Sequence, residues 1–115
     1  MPAGNYDITC DQGATFSRVI TWKNSNGTAI DLTNYTARMQ VRANYPSTTV
    51  VLSLTTENGG IALGGALGTI TLAATATATA AITADQYVYD LEMITGSQVT
   101  RLVEGTFTVT PEVTR

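Results

Sequence analysis

Hydrophobic and polar residues alternate along much of the chain with a period of two, which is typical of β-strands. The clearest case runs from Tyr35 to Arg42, where Tyr, Ala, Met and Val alternate with Thr, Arg, Gln and Arg. One side of this strand is expected to be buried, and the side with Arg38 and Arg42 to face solvent. Alternation or β-branched runs predict further strands at residues 16–23, 49–54, 61–63, 69–72, 87–94 and 99–110.

Turn signals separate these strands at intervals of about ten residues. Asn24-Ser25-Asn26-Gly27 and Glu57-Asn58-Gly59-Gly60 are two such signals. Residues 75–84 are rich in Ala and Thr; their Ala content favours a short helical connector, and their alternation a strand, with the helix preferred. This spacing predicts an all-β fold, an antiparallel immunoglobulin-like β-sandwich, with residues 1–115 forming one domain.

The last two strands allow a prediction of register. A two-residue loop at Gly96-Ser97 places Glu92 opposite Arg101, as an exposed ion pair. The same register places Leu91 opposite Leu102, as a pair in the core.

Two smaller features of this hairpin also have structural interpretations. Gly105 is expected to mark a bulge in the last strand. The segment around Tyr87 resembles the start of the sixth strand of immunoglobulin-like and fibronectin-like domains, where an early Tyr fixes a corner of the fold.

Composition reduces the classes of function that can be expected. The 115 residues include 6 Lys plus Arg, 9 Asp plus Glu and no His, so the formal net charge is -3. A nucleic-acid partner is not expected from a chain with no basic surplus. The absence of His from the sequence removes the usual general base and the commonest metal ligand. Neither an enzyme nor a cofactor is therefore expected.

Several residues are candidates for sites, but ordinary structural interpretations explain each of them. Asp90 and Glu92 share a strand face and could split their pKa values, but a solvated face balanced by arginines explains them as well. Cys10 is the only cysteine, which excludes an intramolecular disulfide, and a small half-buried side chain explains it. Asn24, Asn26 and Asp31 could approach a calcium ion, but their spacing fits turn chemistry.

A membrane segment is not expected, although residues 61–84 carry no charge. The stretch contains three glycines and alternating threonines, and no Lys or Arg flanks it as an anchor. A buried hairpin followed by a connector explains it better.

The aromatic residues and arginines supply the candidate contacts. Trp22 shares its predicted face with Phe16 and is expected in the core, whereas Tyr45 lies in a loop beside Pro46. An exposed Tyr45 could stack on a sugar or contact a protein. The possible partner contacts are Arg38, Arg42 and Tyr45.

Longer stretches carry a resemblance. The segments DQGATF (11–16), GTAIDLTNYTARMQVR (27–42), YVYDLEM (87–93) and RLVEGTFTVTPEVTR (101–115) are similar in order and pattern to a group of small structural proteins of tailed bacteriophages. The resemblance covers nearly the whole chain. Asn34 stands where that group is expected to have Gly, which affects one turn but not the strand order.

The resemblance implies a virion component of the tail, baseplate or neck, similar to the adaptor domains that attach fibres. It implies no catalytic residue. It further implies other virion proteins as partners, oligomeric copies on the particle, and synthesis in the host cytoplasm followed by location in the virion. The alternatives are a capsid decoration protein, which only its place on the particle would distinguish, and a carbohydrate-binding module.

Overall fold

A computed structural model describes residues 4–113 as nine strands, one short helix and their connections. The strands are β1 (Gly4–Asn5), β2 (Ile8–Asp11), β3 (Phe16–Thr21), β4 (Thr36–Arg42), β5 (Val50–Thr55), β6 (Ile61–Leu63), β7 (Thr69–Ala74), β8 (Asp85–Thr95) and β9 (Gln98–Thr110). The helix α1 spans Ala76–Ala80, and a 3₁₀ turn spans Gly65–Leu67.

The strands form two sheets. The larger has the order β1-β9-β8-β4-β5, with β2 also paired to β9, and the smaller has the order β3-β7-β6. The pairs β4–β5, β4–β8, β8–β9, β3–β7 and β6–β7 are antiparallel, as expected. The pairings of β1 and β2 with β9 are parallel: the start of the chain lies beside its last strand and runs in the same direction.

One hydrophobic core lies between the sheets. Both sheets contribute fully buried side chains, among them Met39 and Leu91 from the larger sheet and Ile70 and Leu72 from the smaller. The prediction of an all-β, immunoglobulin-like β-sandwich is confirmed. The strand order identifies the fold. In immunoglobulin domains, strands B, E and D lie in one sheet and strands C, F and G in the other. Here β3, β7 and β6 take the places of B, E and D, and β4, β8 and β9 take the places of C, F and G.

The predicted helical connector is also confirmed: α1 is a helix of about one and a half turns. The Thr75 side chain accepts a hydrogen bond from the Ala78 amide and so caps the start of α1. Thr79 is completely buried, and its hydroxyl donates to the Ala14 carbonyl oxygen at 2.8 Å while accepting from the Gly13 amide. These long-range bonds hold the helix in a segment where the alternation alone would also allow a strand.

The register of the last hairpin is only partly as predicted. Glu92 does lie opposite Arg101, but Leu91 lies opposite Val103, because Leu102 is an extra residue in a bulge. The expected ion pair between Glu92 and Arg101 does not form. Glu92 pairs instead with Arg38 across the other side of β8.

Gly105 does not mark the bulge. It lies opposite Tyr89 in regular pairing. The segment between β1 and β2, which contains Tyr6 and Asp7, passes close to it. A Cβ atom at Gly105 would lie 2.6 Å from the carbonyl oxygen of Tyr6 and 2.8 Å from Oδ1 of Asp7. Glycine is needed here because another part of the backbone approaches closely.

The free edge of β5 is closed by a side chain. Because the Thr56 amide donates to the Ala37 carbonyl oxygen, the alternation of the ladder directs the Ser53 carbonyl and the Thr55 amide away from β4. Asn58 binds both: its Nδ2 donates to Ser53 at 3.0 Å and its Oδ1 accepts from Thr55 at 2.9 Å. A second bulge, at Val51, interrupts the same edge. Both features discourage the addition of a foreign strand.

Candidate protein-binding face

The candidate site is the side of the larger sheet that points away from the core, here called the front face. It is formed by β5, β4, β8 and β9, and alternation along each strand determines which residues it presents. The outward residues of the three central strands include Thr36, Arg38, Gln40, Arg42, Val88, Asp90, Glu92, Ile94, Val99, Arg101, Glu104 and Thr106.

The front face carries equal numbers of positive and negative side chains. Arg38, Arg42 and Arg101 face the carboxylates of Asp90, Glu92 and Glu104. Overall the chain has 6 basic and 9 acidic residues, so the whole surplus of negative charge lies outside this face.

Each carboxylate of the front face has an arginine partner. Nε of Arg38 lies 2.7 Å from Oε1 of Glu92, and Arg101 lies 3.4 Å from both Asp90 and Glu104. These pairs are partly exposed, so each contributes at most about 1 kcal/mol to folding. These ion pairs agree with the interpretation of Asp90 and Glu92 as part of a solvated face balanced by arginines.

The environment of Asp90 is unfavourable for its ionised form. Partial burial, followed by the nearby charge of Glu92, raises its pKa above the ordinary value, and Glu104 adds to this effect. Arg101 and Arg42 act in the opposite direction but do not cancel it.

Arg42 is held by neutral groups. Its guanidinium donates to the Ser47 carbonyl oxygen and to Oε1 of Gln40, both at 2.7 Å. Among residues 4–113, no carboxylate lies within ion-pair distance of Arg42. Its charge therefore remains available to a partner.

The three contacts chosen from the sequence lie together. Arg38, Arg42 and Tyr45 all line one groove of about 400 Å³ on the front face, together with Asp90 and Arg101. Tyr45, in the loop after β4, is 71% exposed. The sequence already predicted Arg101 opposite Glu92 on the exposed side of the sheet, although not as a partner contact. Glu104 was not predicted beside Asp90, because the bulge at Leu102 alters the side on which the following residues of β9 point.

The other candidates serve the fold. The Trp22 ring packs edge-on against Tyr35 at a centroid distance of 5.8 Å and joins the rim of the core. Cys10 is more completely buried than the sequence suggested, at 1% exposure, and burial raises the pKa of its thiol. Oδ1 of Asn24 accepts from the Asn26 and Thr28 amides in a turn, which explains that loop without an ion.

The described part of the chain contains neither a cluster of metal ligands nor a membrane-spanning helix. Within residues 4–113, no three His, Cys, Asp or Glu side chains are grouped so that they could share a metal ion. No helix in that range is both long enough and apolar enough to cross a membrane.

Comparison with known proteins adds little. No protein-family model matches the chain. No curated protein matches it either. A solved structure of the extracellular domains of the voltage-gated sodium channel beta4 subunit, described there as parallel homodimers with a role in cell-cell adhesion, is similar over 98% of this chain and 97% of that one. The sequence identity is 9% and the TM-score is 0.41, so the class of the fold rests on the strand order itself.

Proposed function

We propose that this protein is a non-enzymatic structural component of a tailed-phage virion, located in the tail, baseplate or neck, where it acts as an assembly or fibre-attachment adaptor. The virion part of the proposal is supported by the resemblance to phage structural proteins, which is carried by segments 11–16, 27–42, 87–93 and 101–115. The observation that carries the proposal is the groove in which Arg38, Arg42 and Tyr45 meet.

The residue types in this groove suit a protein partner. Tyr and Arg are enriched where proteins bind one another, because each combines a broad contact surface with directional hydrogen bonding. The exposed Tyr45 ring and the free charge of Arg42 lie side by side at one end of the front face. A partner that covers Tyr45 and offers a carboxylate to Arg42 would use both.

The front face is a better contact surface than the sheet edges. The edge of β5, the longest edge strand of the larger sheet, is closed by Asn58. The β3 edge is covered in part by Arg18, whose guanidinium donates to the Thr9 carbonyl oxygen at 2.7 Å. We therefore assign binding to side chains of the front face rather than to strand addition.

Quantitative mass spectrometry of purified particles from the source tests the proposal. A few copies to a few dozen, relative to the major capsid protein, are expected for a tail, baseplate or neck component. Hundreds of copies would indicate the alternative of a capsid decoration protein. Complete absence from the particles would overturn the virion assignment.

A carbohydrate-binding module is the second candidate, and one observation favours it. The exposed Tyr45 ring borders a groove that also contains Arg42 and Asp90, and a sugar needs such a ring together with polar groups around it. Glycan-array binding that Tyr45→Ala abolishes and Tyr45→Phe retains would support it. Binding that is unaffected by either variant, or no binding at all, would exclude this site as a sugar platform.

A further inference from the structure

Charges on the front face are arranged in columns along the strands. The β4 column carries Arg38 and Arg42, and the adjacent β8 column carries Asp90 and Glu92. Arg38 lies directly opposite Glu92, whereas Gln40 lies opposite Asp90 and Val88 lies opposite Arg42. If a second copy of the face is turned over so that its two columns exchange places, its negative column lies over the positive column of the first copy, and its positive column lies over the negative one.

Two of these charges are incompletely paired within the chain. Among the described residues, the Arg42 guanidinium donates hydrogen bonds only to neutral groups. In the same part of the chain, Arg101 alone lies within ion-pair distance of Asp90, at 3.4 Å; the more distant Arg42 also lowers the pKa of Asp90, but burial and the neighbouring acids still leave that pKa raised. Arg42 and Asp90 are diagonal neighbours on adjacent strands, so a partner that presents the same two columns in exchanged positions can satisfy both.

We propose that two copies of this chain pack front face to front face about a two-fold axis that runs along the strands midway between β4 and β8. The axis places β4 of each copy over β8 of the other, so that Arg38 lies over Glu92 and Arg42 reaches Asp90. The interface is isologous, since the same patch is used twice. It rests on the proposed function, in which the front face is the contact surface.

The arrangement of charges selects this axis over the other possible face-to-face pairing. A two-fold axis across the strands would lay β4 over β4 and β8 over β8. At the level of Gln40 and Asp90, such an axis would bring Arg38 of one copy against Arg42 of the other, and Asp90 against its own copy. Like charges placed in contact are strongly unfavourable in an interface, so the charges favour the axis along the strands, which pairs opposite charges.

Apolar side chains frame the charged centre. Tyr45 and Val50 lie at one end of the front face, and Val99 lies at the other; all three are exposed. Four strands about 4.8 Å apart and about seven residues long cover roughly 450 Å² on each copy. This is below the roughly 800 Å² of a standard stable interface, so a weak dimer that is reinforced by neighbouring contacts in an assembly is expected.

Complementary charge reversals test the pairing with purified full-length chain. Arg38→Glu makes this row of the face negative, and Glu92→Arg makes it positive. Sedimentation analysis up to millimolar concentration should show a weak dimer for the native chain and at least about tenfold weaker association for each variant alone. A mixture of the two variants should form a heterodimer, because each row then faces its opposite.

The double variant R38E/E92R should regain self-association, because positions 38 and 92 again carry opposite charges and face each other across the axis. Lys23→Glu and Glu57→Arg form the matched control pair. They give the same two net charges but lie away from the front face, so their mixture should associate no more than the native chain. Circular dichroism and thermal unfolding of each variant confirm that it is folded.

A mixture of R38E and E92R that remains monomeric overturns the proposal. So does a mixture that associates no better than the control pair. Failure here with the chain present in particles would leave the proposed function intact. Heterodimer formation with the chain absent from particles would support the dimer and reject the virion assignment.

Discussion

The hydroxyl of Tyr87 donates a hydrogen bond to the carbonyl oxygen of Thr83 at 2.5 Å, across the corner where the chain leaves α1 and enters β8. Tyr87 is buried, and β8 is the strand that carries Asp90 and Glu92. The bond therefore fixes the start of the central strand of the front face. It is the tyrosine corner that the segment around Tyr87 predicted from its resemblance to immunoglobulin-like domains.

Tyr87→Phe removes this bond and keeps the ring. We expect the free energy of unfolding in urea to fall by about 1 kcal/mol, which is the usual net contribution of one hydrogen bond. Tyr45→Phe is the matched control, since Tyr45 is 71% exposed, and should change stability by less than about 0.5 kcal/mol. Equal effects of the two variants would contradict the role of the corner.

Gly105→Ala should loosen the start of the chain. The added methyl group would lie 2.6 Å from the Tyr6 carbonyl oxygen, and a backbone atom must move to relieve this contact. We expect a loss of about 1–3 kcal/mol in stability and faster amide hydrogen exchange in β2. Gly4→Ala, whose added carbon would have only ordinary contacts at 3.7 Å, should leave both nearly unchanged. Normal exchange in β2 of the Gly105→Ala variant would refute the close approach.

Asn58→Ala should expose the β5 edge. The Ser53 carbonyl and the Thr55 amide lose their partner, and residues 43–56 contain no charge that would discourage pairing. Concentration-dependent aggregation, measured by light scattering, is expected to increase. Asn26→Ala, in another turn that ends in Gly, is the control and should not aggregate. A soluble Asn58→Ala variant would show that the edge needs no such closure.

Asp90→Asn should alter how stability depends on pH. Because the folded-state pKa of Asp90 is raised, ionised Asp90 destabilises the native state, and this cost disappears as the pH falls through that pKa. The variant should therefore be more stable than the native chain at neutral pH, and the difference should shrink as the pH approaches the ordinary aspartate value of 3.8.

Asp31→Asn provides a control of opposite sign. Hydrogen bonds from the Thr33 hydroxyl and amide lower the pKa of Asp31, so its ionised form stabilises the native state above the ordinary pKa. That variant should be less stable at neutral pH, with the difference fading in acid. Urea unfolding across this pH range measures both; the same sign for the two variants would contradict the assigned environments.

Much of the fold could be predicted because its central strands have one dry and one wet side. Alternation from Tyr35 to Arg42 located β4 within one residue and placed Arg38 and Arg42 outward. The short strands β1 and β2 gave no such signal, because they contain 2 and 4 residues and pair with the distant end of the chain. The bulge at Leu102 also has no local signal in the sequence, because it is defined by the pairing of β9 with β8.

The candidate site was predicted in its residues but not in its arrangement. Arg38, Arg42 and Tyr45 were chosen by residue type and local exposure, which sequence neighbours determine. Their assembly with Asp90 and Arg101 depends on the pairing of β8 with both β4 and β9, and no local pattern specifies the first of these pairings. Asn58 was interpreted as a turn residue for the same reason, although it also closes an edge.

The most direct test of the account is the incorporation of front-face variants into phage particles. Chain carrying Arg42→Ala and Tyr45→Ala would compete with native chain during assembly, and mass spectrometry would measure the ratio of the two in purified particles. Leu67→Ala, which alters a side chain 70% exposed in the 3₁₀ turn, is the control. We expect depletion of the front-face variant and equal incorporation of the control; equal incorporation of both would overturn the proposal that the front face binds in the virion.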